Sequence, residues 1–190
     1  MKKFTDKYLP KLTTRLTVTL AMLMALKFII GKLSVWIIPG TLKVGFSFVP
    51  NVLIGAVAGP ILAPITFVLS DIINMATGGG GGSHFILAFT LLEAVQGFFY
   101  GLFFYKKKLD AKSTKDWAYT SFAVIVIMLI GTFIFTPLLI QIYFKVPVKV
   151  QYFAQGRIFK IFEIPVRIII IMLIVPALQR IPSVKKYILS

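Results

Sequence analysis

Tyr105-Lys-Lys-Lys-Leu-Asp-Ala-Lys-Ser-Thr-Lys115 separates two long apolar runs, Phe85–Tyr105 before it and about Trp117–Tyr143 after it. Its lysines, Lys106, Lys107, Lys108, Lys112 and Lys115, mark a cytoplasmic loop, because short loops rich in Lys and Arg stay on the cytoplasmic side of a membrane. A second basic block, Lys2, Lys3, Lys7, Lys11 and Arg15, precedes the first apolar run and places the N-terminus on the same side. An even number of crossings must therefore lie between the two blocks. Four apolar runs satisfy this: Leu12 to about Trp36, Phe46–Ala58, Ile61–Ala76 and Phe85–Tyr105. The fifth runs from Trp117 and the sixth from about Ile158 to Pro176, ahead of Arg180, Lys185 and Lys186. The pattern predicts an all-α polytopic membrane protein with six transmembrane helices, both termini cytoplasmic, and residues 1–190 forming one transmembrane domain.

Composition agrees. With 58% hydrophobic residues in 190, the chain is too apolar for a soluble domain. The net charge of +15 would suit a nucleic-acid binder, but the charges sit at the ends of apolar runs and line no amphipathic face, so nucleic acid is excluded as a partner. Cysteine is absent and there is a single histidine, His84, which removes thiol nucleophiles and thiolate metal sites. No catalytic, metal-ligand or nucleotide-binding signature is present, so neither an enzyme nor a cofactor-bearing protein is expected. Gly78–Gly82 resembles a phosphate loop only superficially, since no Lys-Ser/Thr follows it. The first apolar run is long and has no small-residue cleavage site, which reads as a retained helix.

Thirteen of the 21 Lys and Arg fall in the cytoplasmic segments. The rest are Lys27, Lys32, Lys43, Lys145, Lys149, Arg157, Lys160 and Arg167, all toward the outer half, several of them within Gln141–Lys160, the polar interruption before the last span. Lys27 and Lys32 can snorkel to outer head groups of the surrounding lipid. Lys43, Lys145, Lys149, Arg157 and Lys160 instead suggest an electropositive mouth for an anion, with Arg157 the best single ligand because its guanidinium fork matches a carboxylate. The runs on either side of Gly59-Pro60 are short and interrupted, and carry Asp71 and Asn74, which points to a binding site at membrane depth. Glu93 and Gln96 lie one turn apart on one helical face, with Tyr100 a turn further, placed either to join helices or to touch a ligand. Ala21 and Ala25 have the small-xxx-small spacing that lets two membrane helices approach closely.

Taken in order, Ala21-x-x-x-Ala25, Leu42-Lys-Val-Gly-Phe-Ser-Phe-Val-Pro50, Gly59-Pro60, Asp71, Phe89-Thr-Leu91, Gly97-x-x-Tyr-Gly101, Gly156-Arg-Ile-Phe-Lys160 and Pro165 resemble the substrate-binding S components of energy-coupling factor vitamin transporters, nearest the folate-type branch. The resemblance runs from Arg15 to Pro176. It implies a cell-membrane subunit that binds one vitamin from outside and works with a transmembrane coupling protein and two cytoplasmic ATPases. It also implies that Ala21 and Ala25 meet the coupling protein, and that the loop Trp36–Ser47, with Trp36, Lys43 and Phe46, gates the pocket. Folate members tend to carry an Asn-Thr-Leu-Trp-like sequence near the end of the fifth helix, where this chain reads Phe135-Thr-Pro-Leu-Leu-Ile140. A flat pterin needs stacking and amide partners, so this departure favours a smaller acid, pantothenate, held by Arg157 with Asn74, His84, Gln96 and Tyr143. Folate is the alternative within the family. An ion-coupled secondary transporter, with Asp71 or Glu93 binding the ion, is the alternative outside it.

Overall fold

The computed structural model describes residues 10, 12–32, 34–38, 42–77, 86–154 and 156–180. The first helix, α1, spans Thr14–Lys32, and Thr13 Oγ1 accepts the Leu16 amide at its start. It stops short of the expected Trp36 because Ser34-Val-Trp-Ile-Ile38, rich in β-branched and aromatic residues, is a strand, β1. That strand pairs antiparallel with β2, Leu42–Gly45, so the expected flap is a hairpin, and the regular elements among the other described residues are helical. The register sets Trp36 opposite Lys43, with an irregularity between Trp36 and Ile38.

The two short runs expected on either side of Gly59-Pro60 are two helical arms that meet at a sharp kink, described together as α2, Phe48–Ala76. Gly59 breaks it with φ 70° and ψ 179°, a conformation that glycine adopts without Cβ strain, and Pro60 supplies no amide to continue the ladder. The Ala56 carbonyl that Pro60 leaves free faces the Lys106 amide at 3.5 Å.

Helix α3, Leu87–Phe104, packs into this bend. A Cβ on Gly55 would meet the Tyr100 backbone at 2.6 Å, one on Gly101 the Gly59 carbonyl at 2.5 Å, and one on Gly97 the Ala63 carbonyl at 2.9 Å. Gly55 to Ala63 would cover about 12 Å along a straight helix, whereas Gly97 to Gly101 covers about 6 Å. The two arms therefore double back around α3. The first starts beside the end of α1, where Gly31 meets Ser47, and the second returns past the start of α3, where Thr90 donates to Asp71 at 2.8 Å. Both ends of α2 thus lie at the hairpin end of the bundle, and the Gly59 bend lies at the opposite end.

After the basic loop come α4 (Thr114–Met128), a π-helical turn (Leu129–Phe135) and α5 (Thr136–Phe144), continuous enough to form one span of Thr114–Phe144. A short helix α6 (Val148–Phe153) and a 3-10 turn (Arg157–Phe162) lead into α7 (Glu163–Gln179). Gln179 clamps the basic loop: its amide oxygen accepts the Leu109 amide at 3.0 Å and its nitrogen donates to the Lys107 carbonyl at 2.8 Å.

Among the described residues, five helices are long and apolar enough to cross a membrane. The core centres on the first arm of α2, with Val52, Ile54, Phe67, Phe104, Met128 and Met172 fully enclosed. Met22, Ile29, Leu102, Phe122 and Leu173 are exposed, an outer face for lipid.

Candidate functional site

Two polar regions stand out. The first joins the π turn to the segment before α7. Thr136 donates its amide to the Gly131 carbonyl, the wide register of the π turn, and this places Pro137 opposite the Thr132 carbonyl. Proline has no N–H, so the Thr132 oxygen lacks a helical donor in this register and the Phe133 oxygen would lack one in the α register. Both are claimed from outside the helix. Arg157 Nη1 donates to the Thr132 carbonyl at 3.0 Å, and the Tyr152 hydroxyl donates to the Phe133 carbonyl. The Tyr152 and Phe133 rings stack at 6.3 Å, 25° from parallel. Beneath them Gln151 is fully buried, donating to Pro137 and Val146 carbonyls at 3.0 and 2.9 Å. Gly156, at φ 63°, turns the chain into Arg157. Strand β2 packs against the 3-10 turn that Arg157 begins, so hairpin, guanidinium and aromatic pair share one end of the bundle. Lys160 is half-buried in that turn, whereas Lys145 and Lys149 are exposed.

The second region is a cavity of about 760 Å³ between α1, both arms of α2, and α3. Lys27, Asn51, Ser70, Asp71, Asn74 and Glu93 are among its lining residues. Lys27 does not snorkel as expected. Its ammonium lies 2.9 Å from Glu93 Oε2 and 4.0 Å from the centre of the Phe67 ring. An intramembrane lysine is stabilised by such a carboxylate and ring face instead of by head groups. Lys32 stands over the Phe28 ring, at 4.4 Å.

The structure thus separates the residues that sequence reasoning grouped. Trp36 and Lys43 are hairpin partners in backbone register, and Phe46 is half-buried, 6.4 Å from the Phe48 ring. Asn74 lines the cavity; Gln96 instead packs on Gly131 in the π turn. Tyr143 is half-exposed, its ring 6.5 Å from that of Phe89, and Arg157 holds the Thr132 carbonyl. His84 and the Gly78–Gly82 run lie outside the described residues. Ala21 and Ala25 are exposed on α1, at the cavity wall. Sequence reasoning missed Asn51, Ser70, Phe133 and Tyr152. Pro137, placed within a span, was the available signal for the last two, since a mid-helix proline leaves carbonyls to be claimed from elsewhere.

This arrangement defines a multi-pass membrane protein with polar groups gathered at one end, and its sequence relationships place it more closely. Residues 15–180 match the family described as "ECF transporter, substrate-specific component", and the chain belongs to that family. It is 55% identical over 177 residues, 93% of this chain and 94% of the relative, to the "Folate transporter FolT" of Streptococcus mutans serotype c. A protein of the same name from Leuconostoc mesenteroides subsp. mesenteroides is 32% identical over 122 residues, 64% of this chain and 61% of the relative. The solved structure titled "Crystal structure of FolT bound with folic acid" superposes with a TM-score of 0.69 at 23% identity, covering 84% of this chain and 90% of that one, a likeness of fold. The S-component resemblance, of the folate-type branch, is borne out. The chain is a substrate-binding component of a cell-membrane transporter and not an enzyme.

Proposed function

We propose that this chain is the folate-binding S component of an energy-coupling factor importer. The observation that carries the reading is the 55% identity, over 93% of the chain, to the Streptococcus mutans protein named a folate transporter. The expectation of pantothenate gives way to folate on that relationship. The hairpin end supplies the chemistry folate asks for: the Arg157 guanidinium for a carboxylate and the Phe133–Tyr152 pair as aromatic surface for a flat ring. Trp36, Lys43 and Phe46 on the hairpin side gate this end, with Gln96 and Tyr143 as further candidates there and His84 a candidate from its residue type alone.

The partners are a transmembrane coupling protein, meeting Ala21 and Ala25, and two cytoplasmic ATPases. The bent α2 supports an even count of crossings. Its arms begin and end at the hairpin end and turn back beside Gly101, near the basic loop at Lys106. Counting each arm as a crossing gives six, with both termini cytoplasmic. The ion-coupled reading loses one of its two acids, because Glu93 is already paired with Lys27.

Isothermal titration of the purified chain against folate and pantothenate tests the reading. Nanomolar folate binding without the ATPases, and none for pantothenate, is expected; tight pantothenate binding with no folate binding would overturn it.

A further inference from the structure

The 3-10 turn that Arg157 begins carries a row of charges. In such a turn side chains at i and i+3 fall in line, about 6 Å apart along the axis. Arg157 and Lys160 are therefore stacked on one side of Arg157–Phe162, with Glu163 directly after it continuing the row. Arg167 follows one α-helical turn further on, on the same face of α7 as Glu163. The row thus holds three cations and one acid.

The acid is used at one end only. Glu163 is 4% exposed, and its Oε1 accepts from Arg167 Nη2 at 2.7 Å and Nε at 3.0 Å, while the Arg167 guanidinium lies over the buried Phe48 ring at 5.0 Å. That pair closes the end of the row nearer the core. The end nearer the hairpin stays cationic. Lys160 is half-buried, and the charges acting on its ammonium are Glu163, Arg167 and Arg157, a net positive surrounding. No carboxylate among the described residues lies within 4.0 Å of Lys160 or Arg157, and Arg157 gives Nη1 to a neutral carbonyl, that of Thr132. Two cations held one turn apart repel each other until anions meet both.

A single carboxylate leaves one of them unmatched, so the row fits a ligand with two anionic groups on one short chain. The ring surface for such a ligand adjoins the first cation, since Arg157 and Tyr152 hold the neighbouring carbonyls of Thr132 and Phe133. Folate has this make-up: a flat ring system and a glutamate tail that ends in two carboxylates.

We infer that Arg157 and Lys160 form a two-pronged seat for this tail, Arg157 taking one carboxylate and Lys160 the other, and that Lys160 makes the site selective for a dicarboxylate. This rests on the folate reading above and adds to it the group that rejects acids with one carboxylate, pantothenate among them, by leaving a half-buried ammonium unpaired.

The purified full chain, with Lys160→Met and Lys160→Arg, is titrated with folate and with the two analogues in which one tail carboxylate, α or γ, is replaced by its amide. These analogues keep the size and the ring system and remove one charge. In wild type each amide should bind about tenfold or more weakly than folate, as expected for loss of a charged hydrogen bond. Lys160→Met should bind folate about tenfold more weakly than wild type and bind one of the two amides within about twofold of folate, whereas Lys160→Arg keeps the wild-type order. Unchanged folate affinity in Lys160→Met would overturn the seat, as would an equal loss for folate and both amides, which is the mark of a structural role. If Lys160→Met does not fold, Lys160→Gln carries the same comparison. Wild type that binds folate and both amides equally well keeps the folate reading and overturns the seat; wild type that binds none of the three removes the folate reading and the seat with it.

Discussion

Removing the Lys27 ammonium should destabilise the bundle through Glu93. The pair is close, 2.9 Å, and mostly enclosed, with side chains 15% and 30% exposed. At an effective dielectric of about 20, Coulomb attraction at this distance is about 6 kcal/mol, an upper bound that desolvation and side-chain ordering reduce. Polar pairs between membrane helices measured by double-mutant cycles average about 0.6 and reach about 1.7 kcal/mol. The Phe67 ring at 4.0 Å adds a cation–π contribution of about 1 kcal/mol. Lys27→Met should therefore cost about 2–3 kcal/mol, because it also strands the Glu93 carboxylate at membrane depth. Glu93→Gln should cost about the same, and the double variant about 1–2 kcal/mol less than the sum of the singles. Unfolding in mixed detergent micelles, followed by helical circular dichroism, gives all three values. Strict additivity would refute the pair as an energetic link between α1 and α3 and leave it a geometric coincidence.

Gly101→Ala puts a methyl 2.5 Å from the Gly59 carbonyl, backbone that cannot yield, and should cost about 1–3 kcal/mol, read as a lower unfolding midpoint. Gly59→Ala forces a side chain into φ 70° and should cost about 1–2 kcal/mol in the same assay; an unchanged midpoint would mean that the bend relaxes. Arg157→Lys keeps the charge but loses the planar fork, so folate affinity should fall about tenfold or more by titration. Unchanged affinity would remove Arg157 from the site.

The multi-pass helical class was legible because membrane physics is written in composition: long apolar runs bounded by basic loops mark membrane helices. Three features were not. The first helix stops at Lys32, earlier than hydropathy implies, because Ser34–Ile38 is apolar enough to extend a span yet has the β-branched and aromatic make-up of a strand. Between the two short runs the chain turns within a kink at Gly59 and not through a loop, a detail that apolar periodicity does not carry. The Lys27–Glu93 contact spans 66 residues of sequence, and nothing local to either residue encodes it. Gly97 and Gly101 served in the sequence only as part of a family pattern. In the structure they and Gly55 are positions whose missing side chains let α2 and α3 touch backbone to backbone.

The segment Phe135-Thr-Pro-Leu-Leu-Ile140 turned the sequence reading toward a smaller vitamin, because the amide and aromatic side chains expected there are absent. Its proline has a structural effect that a residue-by-residue comparison does not capture. Pro137 withholds the amide that would close the helix over Thr132 and Phe133, and the turn widens to a π register closed by Thr136 on Gly131. The freed carbonyls then hold Arg157 and Tyr152, which aligns a guanidinium and a stacked aromatic pair along one helix edge. On the proposed folate reading, the polar stretch that follows the fifth span would in this way supply the recognition groups that the span itself lacks. Pro137→Ala tests the point directly: the restored amide competes for those carbonyls, the turn contracts, and Arg157 loses its anchor. Folate binding should weaken about tenfold while the unfolding midpoint holds or rises, since a mid-helix proline is itself destabilising by about 3 kcal/mol. Unaltered folate affinity in a variant with equal or greater stability would show that the π turn does not position the site.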